Sequence, residues 1–485
     1  MTFERRILSP APAFRETAAA RSGEHTDREL ELWLDERSRA HEFVVNKVPF
    51  SELDQWFFEE GTGDLCHRTG KFFRIEGIEI ETNFGRTTRW MQPIILQPEV
   101  GILGYVTQRR KGVLHFLVQA KMEPGNINLL QLSPTVQATR SNFTQVHGGK
   151  LPPYLEYFLE TARARVLVDQ LQSEQGARFL RKRNRNVIVE VDEREVIPVY
   201  DDFHWVTLGQ IQALLKQENV INMDSRTVLS CIRYHDSVEP DTLEKWRRGD
   251  SFADSVRYSQ FADDNAALRT FDEIISWLTG LKVRYYLNVR RVPLDAVEGW
   301  VVEADRVHHV QDRFFSVVAV SVLAGSREVS SWSQPLIESA KGGMLCFVCQ
   351  RKKGVLHFLV QGRVEPGHAD SLELAPTLQC TPGNYDAARP DLYPPYYELV
   401  STAPPEWIRY NRLQSEEGGR FYHDANRYMV LEVPPDVEID VFDNYAWMTL
   451  HQIKEFIRFN NYINVEARSL LACIGFGDQW EEESR

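Results

Sequence analysis

The stretch QRRKGVLHFLVQAKMEPG at residues 108–125 occurs a second time, nearly unchanged, as QRKKGVLHFLVQGRVEPG at residues 350–367. Outward from this pair, residues 107–232 align with residues 349–474 at a constant offset of 242 and without a gap. About 51 of the 126 aligned positions are identical, which chance does not produce, so the chain contains an internal duplication. We expect the two copies to share one fold.

The repeat extends upstream of this core with a small shift. WMQPII at residues 90–95 faces WSQPLI at 332–337, still at offset 242, whereas VPFSELDQW at 48–56 faces VPLDAVEGW at 292–300 at offset 244. The acidic and polar segment between the copies is typical of a linker with one short helix. The predicted boundaries are a disordered tail at 1–27, module one at 28–234, a linker at 235–267, module two at 268–476 and an acidic tail at 477–485.

Each module predicts an α+β fold, because strand-like and helix-like patterns follow one another along it. Runs rich in β-branched and aromatic residues predict strands, and the basic turn Arg109–Gly112 predicts a β-hairpin with glycine at its tip. In module one we expect strands at 71–79, 101–109, 113–122, 129–139 and 186–191. We expect helices at 30–38, at 157–175 ending at Gly176, and at 207–217 with Thr207 as N-cap, and a helix at 271–279 opens module two.

Composition and charge exclude several classes of function. The formal net charge of -13 argues against a nucleic-acid partner, which needs a clustered basic surface. No apolar run approaches the roughly 18 residues of a membrane helix, and the N-terminal segment lacks the apolar core of a signal peptide. Six cysteines in 485 residues indicate reduced thiols and a cytoplasmic location. The one close pair, Cys346 and Cys349, faces Gly104 and Thr107, so strand packing is favoured over a zinc site.

The segment LVDQLQSEQGA at residues 167–177 partly matches the Nudix box, whose core is Arg-Glu-apolar-x-Glu-Glu-x-Gly. A Mg²⁺ site draws on carboxylates, and most of them are missing here, so we expect no metal. Either a Nudix-type scaffold without its metal or a helix with an ordinary glycine cap explains the segment. The positions that fit the box are Leu171, Glu174 and Gly176 in module one and Leu413, Glu416 and Gly418 in module two.

Two histidines and two tryptophans are candidates for a site and for the core alike. His115 and His357 lie in the middle of VLHFLV, where each is either a hydrogen-bonded structural histidine or a proton-transfer group. Trp56 and Trp300 each follow a short turn, and they either stack on a base or sugar or fill the core.

A polar and aromatic loop follows the last strand of each predicted hairpin region. The loop is Thr139–Phe143 in module one and Thr381–Tyr385 in module two. Connecting loops on a rigid scaffold often bind ligands, so we expect ligand contacts there. Arg109 and Arg351 lie in the basic hairpins, where they either bind a phosphate or remain solvated.

Together, the doubled segments WxQP, RxKGVLHFLVQ, EPG, LxPTxQ and LQSE resemble the NDP-hexose 2,3-dehydratase family over nearly the whole chain after residue 28. The resemblance implies a dTDP-4-keto-6-deoxy-D-glucose substrate, a Nudix-like fold in each half, a homodimer, and neither a metal nor an organic cofactor. It also implies a place in deoxysugar and antibiotic biosynthesis, with an unstable product that a 3-ketoreductase or aminotransferase consumes.

The implied reaction needs a base near sugar C3, donors to the C4 oxyanion and an acid for the leaving C2 hydroxyl. It needs no nicotinamide, and no G-x-G-x-x-G fingerprint opens a helix in this sequence. The catalytic candidates are His115, Tyr154, Glu174, His357, Tyr396 and Glu416. The substrate-binding candidates are Trp56, Thr139, Arg140, Ser141, Asn142, Phe143 and Ser173 in module one, and Trp300, Arg351, Gln379, Thr381, Pro382, Gly383, Asn384, Tyr385 and Ser415 in module two.

We expect turnover of dTDP-4-keto-6-deoxyglucose to survive chelation, because the LQSE segments have lost most carboxylates of a magnesium site. The measurement is product formation, followed by mass spectrometry, with and without EDTA. Loss of turnover that Mg²⁺ restores would instead favour a Nudix-type sugar-nucleotide pyrophosphohydrolase. Tight dTDP binding without turnover would favour a non-catalytic dTDP-sugar-binding protein.

Overall fold

The computed structural model describes residues 9–139, 151–160, 163–325, 330–477 and 480. Nearly every element of the first half has a counterpart in the second half. The helices described are α1 (Ala11–Ala19), α2 (Asp27–Ala40), α3 (Glu156–Leu159), α4 (Leu208–Leu214), α5 (Met223–Ser230), α6 (Pro240–Arg248), α7 (Phe252–Ser259), α8 (Phe271–Arg284), α9 (Tyr397–Ser401), α10 (Leu450–Ile457) and α11 (Val465–Ile474).

The strands alternate with these helices in the same order in both halves. Those of the first half are β1 (Phe43–Val48), β2 (Trp56–Phe58), β3 (Leu65–His67), β4 (Arg74–Thr82), β5 (Arg89–Leu96), β6 (Gly101–Arg110), β7 (Val113–Met122), β8 (Leu130–Ser133), β9 (Val136–Ala138), β10 (Arg165–Ser173), β11 (Arg183–Val191) and β12 (Phe203–Val206). Those of the second half are β13 (Leu287–Val292), β14 (Trp300–Val302), β15 (Arg306–His309), β16 (Phe315–Ala324), β17 (Ser331–Ser339), β18 (Met344–Lys352), β19 (Val355–Arg363), β20 (Glu373–Ala375), β21 (Leu378–Cys380), β22 (Ile408–Ser415), β23 (Ala425–Glu432) and β24 (Tyr445–Thr449).

Each half builds a seven-stranded sheet around the hairpin of the repeated stretch. In the first half the strand order is β10-β11-β6-β7-β12, with β8 beside β7 and β9 beside β6, and the second half repeats this arrangement. The predicted hairpin is confirmed: Lys111 and Gly112 have φ values of 48° and 85°. Positive φ at both residues is what a tight two-residue turn between twisted strands requires. The predicted α+β class and the duplication are therefore confirmed.

The two halves exchange their first strands. Strand β1 pairs antiparallel with β16 of the second half, from Phe43 opposite Ala324 to Val48 opposite Ala319. In return, β13 pairs antiparallel with β4 of the first half. Each of the two five-stranded sheets thus contains one strand from the other half. Because an unpaired strand would leave its backbone groups without partners, each half needs the other to complete its sheet.

The prediction of a disordered start is wrong for the described residues 9–27. Helix α1 buries Phe14 completely, and Thr17 Oγ1 donates a 2.6 Å hydrogen bond to the Leu114 carbonyl on β7. Helix α7, inside the predicted linker, repeats this contact, since Ser259 Oγ donates to the Leu356 carbonyl at 2.6 Å. Both segments therefore belong to the repeat. Sequence reasoning missed them because α1 and α7 share few identical residues.

The predicted helix at 157–175 is also wrong. Among the described residues of this range only the short α3 is helical, and residues Arg165–Ser173 form β10, which pairs antiparallel with β11. Glycine at 176 and a glutamine-rich run suggested a capped helix, but tertiary pairing with β11 overrides such weak local preference. The comparison with the helical Nudix box therefore loses its local basis, and a Nudix-like fold stays a prediction that depends on the family resemblance.

Several helix predictions hold. Helix α2 covers the predicted 30–38, α8 covers 271–279, and α4 begins after Thr207, whose Oγ1 accepts from Gln210 N at 3.1 Å in a capping box. Hydrophobic residues of both halves form one continuous core cluster, which joins the two large sheets. In the described part of the chain, no helix has the length and apolar character needed to cross a membrane.

Two fully buried arginines connect the halves across the core. Arg226 on α5 donates from its guanidinium to the Ser415 carbonyl and the Ser469 hydroxyl of the second half. Arg468 on α11 donates to the Ser173 carbonyl and, at 3.2 Å, to Thr227 Oγ1 of the first half. These contacts are related by the offset of the repeat. A buried guanidinium is stable only when its donors are satisfied, so the two halves hold each other in register.

We expect Arg226→Met to destabilise the protein by about 3 to 5 kcal/mol, because it leaves buried acceptors of the second half without a donor. The measurement is the midpoint of the first unfolding transition in urea. Arg28→Met is the matched control, since this arginine side chain is 74% exposed and its loss should cost about 0.5 kcal/mol or less. Equal midpoints for the two variants would contradict the connecting role of Arg226.

Candidate active site

The repeated glycine loops of the two halves meet crosswise. Gly125 N donates to the Gly418 carbonyl at 2.7 Å, and Gly367 N donates to the Gly176 carbonyl at 2.6 Å. A side chain has no room here: a Cβ added at Gly125 would lie 1.6 Å from the carbonyl oxygen of Phe421. The EPG loop of each half is therefore built against the LQSE loop of the other half.

Charged side chains gather around each of these two crossings. We call these two groups of side chains the C cluster and the N cluster, after the half of the chain that supplies most of the residues of each. The C cluster comprises Gln175, Gly176, Arg178, Arg363, Glu365, His368, Gln379, Glu416 and Glu466. The N cluster comprises Lys121, Glu123, Asn126, Gln137, Glu174, Lys182, Asp224, Glu417, Gly418 and Arg420.

In the C cluster, Glu365 is the central carboxylate. Arg363 Nε and Gln379 Nε2 each donate to Glu365 Oε1 at 2.9 Å. The second oxygen, Oε2, lies 3.5 Å from His368 Nε2, and His368 Nδ1 accepts from the Glu365 backbone N at 3.3 Å. Because Nδ1 accepts, the proton of the neutral imidazole lies on Nε2. His368 is thus arranged as a donor.

The two glutamates of the C cluster have opposite pKa shifts. Burial alone would raise the pKa of Glu365, but the His368 imidazole 3.5 Å away and the Arg363 charge outweigh it and lower that pKa to about 2. Burial, reinforced by the charges of Glu365 and Glu416, raises the pKa of Glu466 well above its ordinary value. The shifts favour the ionised form of Glu365 and the protonated form of Glu466.

His368 lies between these groups, where the neighbouring carboxylates favour its protonated form. Burial opposes its protonation, yet the charges of Glu373 and Glu365 outweigh burial and raise the pKa of His368. Within the described residues, His368 Nε2, Glu365 Oε2 and Glu466 Oε2 are buried atoms that make no hydrogen bond. Buried polar atoms without partners are rare and costly, so this group of three marks the C cluster as a candidate ligand site.

The N cluster has the same frame with different chemistry. Gln137 Nε2 donates to Glu123 Oε1 at 2.9 Å, as Gln379 does in the C cluster. The position of His368 is occupied by Asn126, and that of Glu466 by Asp224. Burial and the charges of Glu417 and Glu174 raise the pKa of Asp224 well above its ordinary value. The N cluster therefore keeps a carboxyl with a raised pKa but has no imidazole at the position of His368.

The LQSE loops connect the two clusters. Burial, together with the charge of Glu417, raises the pKa of Glu174 in the N cluster to about 7. The next residue, Gln175, belongs to the C cluster, where its Nε2 donates to Glu416 Oε2 at 2.7 Å. Two predicted catalytic residues, Glu174 and Glu416, therefore lie in different clusters. Glu416 also accepts from Asn426 Nδ2 at 2.7 Å, so it has little capacity left as a base.

The other four predicted catalytic residues lie outside both clusters. His115 Nδ1 contacts the Val113 carbonyl at 2.9 Å and its Nε2 accepts from Glu24 N, also at 2.9 Å. His357 makes the equivalent pair of backbone contacts, so both are structural histidines. Tyr154 and Tyr396 donate their hydroxyls to the carbonyls of Pro198 and Asp440, where they anchor surface loops. Their geometry argues against catalysis.

The predicted tryptophans are part of the packing. Trp56 is 7% exposed, and its indole N donates to the Ser333 carbonyl at 3.0 Å. The Trp300 indole N donates to the Met91 carbonyl at 3.2 Å. The Trp300 ring packs on the Phe315 ring. The guanidinium carbon of Arg178 lies 4.2 Å from the centroid of the same Phe315 ring. The tryptophans therefore support the walls of the clusters, and stacking of a base on Trp56 is excluded by its burial.

The remaining predicted substrate-binding residues lie in several different places. Gln379 lies in the C cluster, and Thr381–Tyr385 follows it at the rim. Ser173 and Ser415 are buried and donate to Glu373 and Gln131 at 2.7 Å, while Arg351 donates to backbone carbonyls of the 249–251 segment. Thr139 is half-buried after β9. Arg140, Ser141, Asn142 and Phe143 lie outside the described residues.

Sequence reasoning missed Arg363, Glu365, His368 and Glu466. The signal was present in the doubled EPG motif, because His368 follows it where the first copy has Asn126. A position that changes from amide to imidazole inside an otherwise repeated motif is a sign of divergent chemistry. The doubled WxQP motif has a related purpose: Gln92 Nε2 and Gln334 Nε2 hold the LQSE loops by donating to the carbonyls of Ala177 and Gly419 at 2.9 Å.

The chain matches a model of the NDP-hexose 2,3-dehydratase family twice, at residues 27–232 and 271–474. It is 47% identical over 446 residues, 92% of this chain and 90% of the relative, to a dTDP-4-dehydro-6-deoxy-alpha-D-glucopyranose 2,3-dehydratase of Saccharopolyspora spinosa. Proteins of the same name from Amycolatopsis orientalis and Streptomyces violaceoruber are 46% and 44% identical, over 92% and 91% of this chain and 89% and 95% of theirs. The chain therefore belongs to the NDP-hexose 2,3-dehydratase family.

Proposed function

We propose that this chain is a dTDP-4-dehydro-6-deoxy-D-glucose 2,3-dehydratase and that the C cluster is its working site. Family membership and the names of three relatives support the activity. The single observation that supports the site is the group of Glu365, His368 and Glu466. Two carboxyls whose pKa values are shifted in opposite directions beside an imidazole donor supply both an acid and a base at one pH.

The reaction removes water across sugar C2 and C3. The 4-keto group acidifies the C3 hydrogen, so a base removes that proton and leaves an enolate with negative charge on the C4 oxygen. The electron pair returns to form the C2–C3 double bond, and the C2 hydroxyl departs with a proton as water. The resulting C3 enol tautomerises to a 3,4-diketone with a methylene at C2. Neither carbon needs an external oxidant or reductant.

Each step has a matching group in the C cluster. Glu365 is ionised, and its Oε2 makes no hydrogen bond within the described residues, so it accepts the C3 proton. His368 donates from Nε2 to the C4 oxygen as negative charge develops there. Burial and neighbouring charge raise the pKa of Glu466 and favour its protonated form, so it supplies the proton for the departing hydroxyl. When His368 turns to the substrate, Glu365 loses a stabilising partner and becomes a stronger base.

The N cluster lacks one of these three groups. Asn126 stands in place of His368, and its Nδ2 already donates to the Leu129 carbonyl at 3.1 Å. A neutral amide stabilises an enolate oxygen less than the His368 imidazole does, because neighbouring carboxylates favour the protonated imidazole and charge strengthens its hydrogen bond. We therefore assign turnover to the C cluster alone.

We also make proposals about the oligomeric state of the protein, its location and the enzymes that consume its product. We propose a homodimer, supported by the exposed apolar side chains Leu159 (52%) and Val196 (90%) in module one. We propose a cytoplasmic location, supported by six buried cysteines that are all free thiols. A diketone product is reactive, so a 3-ketoreductase or aminotransferase of deoxysugar and antibiotic biosynthesis would consume it.

We expect His368→Asn to lower kcat about 100- to 1000-fold, because it converts the C cluster to the N-cluster pattern and removes the imidazole donor to the C4 oxygen. The matched control is Asn126→His, which should leave kcat within about twofold of wild type. The measurement is product formation from dTDP-4-keto-6-deoxyglucose in a coupled ketoreductase assay. A large loss in the control and none in His368→Asn would move the working site to the N cluster.

We expect Glu466→Gln to lower kcat about 100- to 10,000-fold, because an amide cannot donate a proton to the leaving hydroxyl. In the wild type, kcat should fall as pH rises through the raised pKa of Glu466, since only the protonated acid donates. This fall in kcat at high pH, the basic limb of the pH profile, should be absent from the residual activity of Glu466→Gln. Asp224→Asn is the control in the N cluster. An unchanged basic limb in Glu466→Gln would show that another group is the acid.

A further inference from the structure

Arg178, in the LQSE loop of the first half, lies against the second half. Its guanidinium carbon is 4.2 Å from the centroid of the Phe315 ring. The same loop packs on the C cluster two residues earlier, where a Cβ added at Gly176 would lie 2.7 Å from His368 Nε2 and 3.0 Å from Glu365 Cβ. Arg178 is therefore a cation of the first half placed beside the acid–base groups of the second half.

The repeat supplies an internal comparison, because Arg420 is the counterpart of Arg178 at offset 242. The guanidinium carbon of Arg420 lies 4.3 Å from the ring centroid of Phe73, which is the counterpart of Phe315. Each arginine also donates from Nη1 to the carbonyl of the residue before it, at 2.7 Å for Arg420 and 3.0 Å for Arg178. The two side chains thus have the same stacking contact and the same backbone contact.

The two arginines differ in the partner of Nε. In the N cluster, Nε and Nη2 of Arg420 both donate to Gln97 Oε1 at 3.3 Å. In the C cluster the counterpart of Gln97 is Ser339, and Arg178 Nε is a buried atom that makes no hydrogen bond within the described residues. A buried donor without a partner is costly, so this position in the C cluster suits an oxygen that a ligand brings.

Unpaired buried atoms are concentrated in the C cluster. Two of them are donors, Arg178 Nε and His368 Nε2, and the carboxylate oxygens Glu365 Oε2 and Glu466 Oε2 are acceptors. Among the described members of the N cluster, the one unpaired buried atom is the acceptor Asn126 Oδ1. A negatively charged oxygen has lone pairs for two donors, so an enolate oxygen would satisfy both donors of the C cluster.

Carboxyl groups surround Arg178 and decide which kind of oxygen it takes. Burial lowers the pKa of the guanidinium, and the nearby charges of Asp424, Glu365, Glu466 and Glu416 oppose that effect. A diphosphate carries permanent negative charge, which such neighbours repel. The 4-keto oxygen is neutral until C3 loses its proton and negative afterwards, so its attraction to the guanidinium is gained as the reaction proceeds.

We propose that Arg178 is a catalytic residue of the C cluster that donates from Nε to the C4 oxygen of the 4-keto sugar, together with His368. The proposal rests on the proposed function, which supplies this substrate. When Glu365 removes the C3 proton, the electron pair of the C3–H bond forms a C3–C4 double bond and the carbonyl electrons move to the C4 oxygen. Arg178 and His368 then stabilise that charge as the two donors of an oxyanion hole.

The test compares kcat and KM of full-length variants with dTDP-4-keto-6-deoxyglucose in the coupled ketoreductase assay. We expect Arg178→Gln to lower kcat about 100- to 1000-fold and to leave KM within about threefold of wild type, because a donor to a developing charge is lost. Ser339→Gln keeps the arginine but offers it the acceptor that Gln97 offers to Arg420, so it should lower kcat at least about tenfold. The matched control is Gln97→Ser, which should leave kcat within about twofold of wild type.

Arg178→Ala provides a readout that a purely structural role would not move. Guanidinium chloride at millimolar concentration should restore part of the kcat of Arg178→Ala, but not that of Ser339→Gln, in which the Arg178 side chain still fills the position. An increased KM with unchanged kcat in Arg178→Gln would overturn the proposal, since the arginine would then bind a group that is charged before the reaction. Unchanged kcat in Ser339→Gln, without guanidinium rescue of Arg178→Ala, would also overturn it.

Hydrogen exchange at C3 separates this proposal from the proposed function. In deuterium oxide, the slow Glu466→Gln variant should exchange the C3 hydrogen of the substrate, because the enolate forms while the hydroxyl departs slowly. Adding Arg178→Gln should lower that exchange rate, and an unchanged rate would refute the Arg178 contact. Exchange that depends on Arg178, with no dehydrated product from the wild type, would refute the proposed dehydration and leave the contact standing.

Discussion

Two buried arginines position both candidate sites. Arg226 donates to the carbonyl of Ser415, and Arg468 donates to that of Ser173. These serines immediately precede Glu416 and Glu174, so each arginine of one half fixes the LQSE loop of the other half. Because both guanidiniums are fully buried, any shift between the halves would leave charged donors unsatisfied in the core. The crossed loops, the exchanged strands and the two clusters all depend on this reciprocal contact.

The two clusters share one backbone arrangement but differ in key side chains. This difference explains how a duplicated protein can keep both clusters while only one of them carries out the reaction. Both clusters have a glutamate held by a glutamine, at 2.9 Å in each case. They differ at His368 and its counterpart Asn126. One working site satisfies the reaction, so the other is free to change as long as the arginine contacts persist. The N cluster keeps enough buried charge to remain a structural partner of the C cluster.

The sequence predicts those features of the fold that depend on local backbone chemistry or on the repetition of the chain. The glycine turn at Gly112 and the cap at Thr207 follow from backbone geometry, and the duplication follows from identity. The sequence predicts a helix where β10 lies, because local preferences do not reveal the long-range pairing of this strand with β11. The exchange of first strands and the crossed loops are also long-range, so no motif within one half reveals them. The sequence therefore singles out His115, a histidine in a conspicuous repeated motif, although its hydrogen bonds in the structure are to backbone groups. It does not single out His368, because the cluster around His368 forms only when the two halves meet.

The central claim is that one half completes the working site of the other. The most direct measurement is a crystal structure of the full-length chain with dTDP-4-keto-6-deoxyglucose bound to the slow Glu466→Gln variant. We expect the hexose to contact Glu365 and His368 of the second half and the Gly176 loop of the first half in the same pocket. A hexose bound only around Asn126, or in a pocket formed by residues of a single half, would contradict the account.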